Sequence, residues 1–233
     1  AVLRVKPSCT GANCKVDVTN AKWFAVFGSG PTSYEIKDNV TGIKQGSMLF
    51  AIDILAGPGA ANAGVTKLSV SAATNTAWKA FMGDVATVDL DLDYRVDVAY
   101  SGSLIHDGAL PWRGAVYRLT TSCSGAPCSP GTWGITSGGG RSPTAVIYTF
   151  GGTTEIGPVV TAPTLTRDDS NKLWLFFGTG RFYSQADKSN TEQQYFIGVK
   201  DKVFSGGCIS ESGCTTNMDL VDVSNAVVCS QCT

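Results

Sequence analysis

Trp23-Phe24-Ala25-Val26-Phe27-Gly28-Ser29-Gly30 is answered later in the chain by Trp174-Leu175-Phe176-Phe177-Gly178-Thr179-Gly180. In both, an aromatic and apolar run closes on Gly-Ser/Thr-Gly. About twenty residues after each comes a second apolar stretch ending in Asp, Leu49-Phe50-Ala51-Ile52-Asp53 and Tyr195-Phe196-Ile197-Gly198-Val199-Lys200-Asp201. Short runs of this kind, bounded by Gly, Pro, Asn, Asp and Ser, read as strands. Helical periodicity is nearly absent, Thr76 to Met82 being the one short candidate.

A further unit lies between these two. Its inner strands are expected at Val85 to Leu90 and Val96 to Ser101, and its next strand at Trp112-Arg113-Gly114-Ala115-Val116-Tyr117-Arg118-Leu119. The last unit has its own first strand, Pro158 to Leu165. The units recur at about 70 to 75 residues, longer than an ordinary four-stranded propeller blade because of loop insertions. The expected fold is therefore all-β and β-propeller-like. About three blade-like units, at roughly 20–75, 84–150 and 157–202, lie in a single propeller region over 1–233 with a Cys-rich tail at 203–233. Each sheet buries its faces only against its neighbours, and propellers typically use four to eight blades, so three imply part of a larger propeller.

The middle unit carries Asp89-Leu90-Asp91-Leu92-Asp93-Tyr94-Arg95-Val96-Asp97. Carboxylates at the first, third, fifth and ninth places, with a backbone carbonyl at the seventh (Arg95), match a loop that wraps a hard cation in oxygen ligands. The competing reading is a solvated acidic strand with every Asp on one face. That strand would hold like charges about 7 Å apart, each neighbouring pair costing about 0.5 kcal/mol in water, and Asp is a poor strand former. Calcium removes both objections. The loop is not an EF-hand: its sixth place is Tyr94, its twelfth is Tyr100, and no amphipathic helices flank it.

Composition narrows the class. Charged residues are 16% of the 233 and the net charge is −1, so no basic field exists to attract nucleic acid or anionic lipid. No apolar run approaches a membrane span and no signal peptide is visible, as in a mature product or a fragment of a longer chain. The eight Cys fall into local pairs, Cys9/Cys14, Cys123/Cys128, Cys208/Cys214 and Cys229/Cys232. Disulfides at loop tips are the expected reading, each adding about 2 kcal/mol, although eight Cys allow about 105 pairings. Zinc half-sites compete, but two would have to meet in space with a single His to help. Disulfides place the chain in an oxidising compartment, extracellular, cell-surface or periplasmic, where calcium at millimolar concentration suits a weak site.

Other chemistry is weakly supported. His106 reads as a satisfied surface histidine, with no nucleophile elbow around any Ser. Gly28-Ser29-Gly30 and Gly178-Thr179-Gly180 read as strand-end bends, and Asp168-Asp169-Ser170-Asn171 as a hairpin turn in preference to a second cation loop. The enzymatic alternative is a quinoprotein-like dehydrogenase, whose propeller has similar blades and also uses calcium; the chain lacks a vicinal Cys pair and a Cys-x-x-Cys-His motif. A generic extracellular module binding glycan or protein through Trp133, Phe182 and Tyr183 is the third class.

Four blocks, in order, resemble the C-terminal propeller of the PilC/PilY family of type IV pilus tip-associated proteins. They are Phe27-Gly28-Ser29-Gly30 with Met48 to Asp53; Val88 to Asp97 continuing into Ala99-Tyr100-Ser101-Gly102; Trp112 to Leu119; and Phe177 to Phe182 with Asp187 and Gln193 to Asp201. The resemblance spans roughly residues 20 to 202. Tyr94 departs from the family's usual Gly at a place preferring φ > 0, and Ser103 replaces an acidic residue. The resemblance implies a non-enzymatic, calcium-binding protein at the pilus tip or outer membrane. It would meet pilins or minor pilins at the filament tip and a host or abiotic surface, promote pilus assembly, oppose retraction, and support adhesion and twitching motility. Asp89, Asp91, Asp93 and Asp97 would then supply side-chain oxygens to Ca²⁺ and Arg95 its carbonyl.

Overall fold

Side chains alternate across a strand, so Leu3, Phe24, Val26, Leu49, Ala51 and Leu68 can all face one way only in a sheet, and they do. The computed structural model describes residues 1–5, 22–31, 46–59, 64–69, 79–106, 112–121, 130–137, 140–147, 149–150, 154–183, 185–201, 221, 223 and 225. Among these the strands form three larger antiparallel sheets and two small hairpins. The first sheet runs in the order β1 (Val2–Val5), β2 (Lys22–Gly28), β3 (Met48–Asp53), β4 (Val65–Ser69). The second begins with β5 (Lys79–Val88), β6 (Val98–His106) and β7 (Arg113–Thr120). An excursion through a 3-10 turn (Pro130–Thr132) and a hairpin of β8 (Ile135–Ser137) with β9 (Gly140–Ser142) follows, before β10 (Thr144–Ile147) returns beside β7. A hairpin of β11 (Thr149–Phe150) and β12 (Thr154–Glu155) leads on to the third sheet, β13 (Thr164–Arg167), β14 (Leu173–Gly178) and β15 (Phe196–Lys200). Sequential strands pair in the first and third sheets and through β5–β7 of the second, where β10 takes the next place after the β8–β9 excursion; this is the up-and-down order of propeller blades, as the repeat indicated.

Burial periodicity shows how the sheets stack. β2 and β14 alternate buried and partly exposed residues, whereas every residue of β6 and all but the ends of β7 are buried. A sheet buried on both faces has a neighbour on each side. One core joins the first and second sheets through Leu3, Val26, Leu49, Met82, Ala115 and Leu119; a second joins the second and third through Val98, Val116, Leu175, Phe177 and Val199. The outer faces of the first and third sheets keep stacked aromatics, Phe27 on Phe50 and Trp174 on Phe176 on Phe196. This is the arrangement of a partial propeller whose end sheets, among the described residues, share a core on one face only.

Two expectations change. Lys79 to Met82, within the expected helix at Thr76 to Met82, open β5 and pair with Ser103 to His106; Phe81 and Met82 are both buried, one on each face, which a strand allows and a one-sided helical stripe does not. Residues 76–78 lie outside the described set. Pro158 to Pro163 are not strand, and β13 starts only at Thr164. The two prolines lack N–H groups for a ladder, and the segment instead crosses the second sheet. Gly114 N donates to Ile156 O (2.7 Å), Val159 N to Ser103 O (3.0 Å) and Asp84 N to Val160 O (3.3 Å). Gly83, Gly102 and Gly114, one on each of β5, β6 and β7, make the groove for it. A Cβ on Gly83 or Gly102 would lie 2.3 Å from the carbonyl oxygen of Val160 or Val159, respectively. The eight Cys residues, Cys9, Cys14, Cys123, Cys128, Cys208, Cys214, Cys229 and Cys232, lie outside the described residues, as does the tail apart from Val221, Val223 and Asn225.

Candidate metal centre

Strand β5 stops at Val88 and β6 starts at Val98, so Asp89 to Asp97 form the connecting loop and not an acidic strand. Two residues take left-handed backbone, Leu92 at φ 58° and Tyr94 at φ 65°. The second is the position where the sequence reading expected φ > 0. The turns wind the loop on its own carboxylates. Asp89 accepts from Asp93 N through Oδ1 (3.2 Å) and from Tyr94 N through Oδ2 (2.6 Å), and Asp97 Oδ2 accepts from Leu90 N (2.7 Å). Backbone donors therefore orient the Asp89 and Asp97 carboxylates before any ligand arrives.

Carboxylate oxygens of Asp89, Asp91 and Asp97 lie within 4.8 Å of one another. Two oxygens bound to one Ca²⁺ are at most about 5 Å apart, since each Ca–O distance is 2.3–2.6 Å. An all-oxygen, anionic donor set of that spread fits a hard divalent cation and lacks the nitrogen and sulfur ligands typical of zinc. Asp93 stands outside the trio. Its Oδ1 accepts from Arg95 N (3.0 Å) and its Oδ2 pairs with Arg95 NH1 (2.9 Å), so these two expected ligands engage each other. Burial raises the Asp97 carboxyl pKa above its ordinary value, and the charges of Asp91, Asp89 and Asp93 raise it further, against the Leu90 N–H that lowers it. An unneutralised cluster is thus electrostatically unfavourable, and a cation would relieve it.

The other candidate residues, Phe182 excepted, have structural employment. His106 is buried, not at the surface, with its ring 4.5 Å from that of Trp112. Trp112 in turn carries the Arg181 guanidinium 4.0 Å from its centroid, and Arg181 pairs with buried Asp187 at 2.9 Å. Asp168 caps the β13–β14 turn through Ser170 N and Lys172 N. The Lys172 N–H, then the Trp174 indole and Lys200, draw its carboxyl down to about 2. Trp133 is buried edge-on to Phe24, Tyr183 packs on Phe81, and Phe182 is exposed.

Sequence reasoning missed one group. Arg118 on β7 is fully buried, bonded through NH1 to both oxygens of Asp201 (2.7 and 2.9 Å), while Tyr100 OH donates to Asp201 Oδ2 (2.7 Å). The Asp that closes the repeat was visible, but its partner lies on another sheet.

A family model for the PilY1 β-propeller domain matches residues 9–224. The crystal structure of the Pseudomonas aeruginosa PilY1 C-terminal domain matches with a TM-score of 0.56 at 20% identity, over 83% of this chain and 36% of that one. The chain thus spans about a third of that structure's length, and at this identity the likeness shows the fold alone. No curated protein matches. Because the family match takes in the acidic loop, the second and third sheets and all of the first but β1, the chain belongs to the PilY1 β-propeller family.

Proposed function

We propose that this chain is a calcium-binding, non-enzymatic part of a type IV pilus-associated surface protein, supporting pilus assembly, control of retraction, and adhesion. The observation that carries it is the convergence of Asp89, Asp91 and Asp97 at one turn of a PilY1-family propeller. Those three would hold Ca²⁺, with the Asp93–Arg95 pair bracing the loop and the Arg95 carbonyl expected to add a further oxygen. The ion would supply positive charge where burial and neighbouring carboxylates otherwise disfavour ionisation. It would stabilise the folded loop by its own binding free energy, about 1.4 kcal/mol at ten times Kd.

Family membership implies a pilus-associated, extracellular or surface location, and the expected partners are pilins or minor pilins at the filament tip with a host or abiotic surface beyond. Among the described residues no helix is long and apolar enough to cross a membrane. The test is made in cells that depend on the protein. Replacing Asp91 with Ala and Asp97 with Asn should alter the number of surface pili and the calcium dependence of twitching and attachment, with protein levels unchanged. Piliation, motility and attachment identical to the parent at every calcium concentration would refute the role.

A further inference from the structure

The acidic loop touches more than its own sheet. At its C-terminal end, Val96 N donates to Arg4 O on β1 (3.1 Å), and the Val96 side chain packs against the core shared by the first and second sheets. Thr121, just after β7, holds the same end, its hydroxyl donating to Val96 O and its N–H to Asp97 O (2.8 Å). At the N-terminal end, Leu90 packs against the other core, the one shared by the second and third sheets. Its carbonyl accepts from Arg167 NH2, at the end of β13, and Arg167 is steadied by a 2.9 Å bond from NH1 to Asn171 Oδ1. The N–H of the same Leu90 is bonded to Asp97 Oδ2, one of the converging carboxylates.

We propose that the loop is a clasp across all three sheets, and that Arg167 is the positioning residue tying the third sheet to cation occupancy. The inference rests on the cation reading of Asp89, Asp91 and Asp97. A cation drawing those carboxylates together fixes Asp97, hence Leu90, whose peptide carbonyl Arg167 grips from the third sheet. Two hydrogen bonds separate the proposed ligand from β13. With the loop slack, Arg167 holds a mobile partner; with the loop fixed, it holds a rigid one, and the third sheet opens less often. Coupling of this kind has to be demonstrated as a change at one place caused by binding at another.

Hydrogen exchange on the whole chain, with and without saturating Ca²⁺, reads it out, using the amides of Leu173 to Gly178 in β14, which lie away from the ligands. In the parent protein, Ca²⁺ should slow exchange both in the loop and in β14, the latter by about threefold or more. In Arg167→Met, which keeps the aliphatic stem but no donors, Ca²⁺ should still bind and protect the loop while the β14 response disappears. Arg167→Lys, retaining charge and a donor, should keep a measurable part of it. A merely structural Arg167 would speed β14 exchange equally with and without Ca²⁺. A β14 response that persists in the Met variant, a parent in which only the loop responds, or a Met variant that does not fold overturns the clasp and leaves the cation site standing. A parent that shows no calcium binding by calorimetry removes both.

Discussion

Tyr94 shows what a single residue contributes to this account. Its backbone sits at φ 65° and its side chain is 83% exposed, so it bears the steric cost of a left-handed L-residue without packing in return. That conformation costs about 1–2 kcal/mol, against about 0.5–1 kcal/mol of extra chain entropy for a glycine. Tyr94→Gly should therefore raise stability by about 0.5–1 kcal/mol in urea unfolding, since the left-handed turn is then unstrained; a loss of stability would contradict the reading. At this scale the sequence was largely legible. The alternating Asp spacing announced a loop, and a position calling for φ > 0 fell where the structure puts one. The membership of the cluster was not legible, because Asp93 answers to Arg95, two residues away, and local side-chain pairing competes with convergence in a way spacing does not reveal.

At the scale of elements, the repeat has a physical meaning. Ser29 and Thr179 each follow the last residue of a strand, and each donates its N–H to the residue that opens the partner segment, Met48 O and Tyr195 O (2.9 and 2.8 Å). Their hydroxyls accept from the same two amides, Met48 N and Tyr195 N. Gly-Ser/Thr-Gly is thus a strand-end lock used twice, which is why it recurs. The misread elements fail for a shared reason: the apolar runs at 79–82 and 158–163 were equally compatible with several conformations, and tertiary contacts chose. The crossing of 156–160 over the second sheet needs glycine where it passes. Gly102→Ala would put a Cβ 2.5 Å from Val159 Cγ1 and 2.3 Å from Val159 O, neither of which can easily withdraw. A loss of about 2–3 kcal/mol in unfolding free energy is expected; a neutral substitution would mean the segment does not lie there.

For the whole molecule, unit count and propeller class were readable from period and strand content, whereas what joins the sheets was not. Arg118 and Asp201 are 83 residues apart, and nothing local marks either as the other's partner. Removing one member of so buried a pair leaves a stranded charge, so Asp201→Ala should cost about 3–5 kcal/mol, and Arg118→Met with Asp201→Leu should recover most of it. A double variant as unstable as the single would mean that the pair holds the second and third sheets together through more than its charge. The exposed aromatics of the end sheets, Phe27 at 43% and Phe196 at 79%, lie on the faces turned away from the two shared cores. The claim on which the functional reading turns, however, is that a divalent cation sits at the turn of the middle blade. Calorimetric titration of the chain with Ca²⁺ addresses it most directly. One site with Kd on the order of 0.1–1 mM is predicted, abolished by Asp91→Ala with Asp97→Asn and largely retained by Asp93→Ala. Binding undiminished in the double variant, or absent from the parent protein, would contradict it.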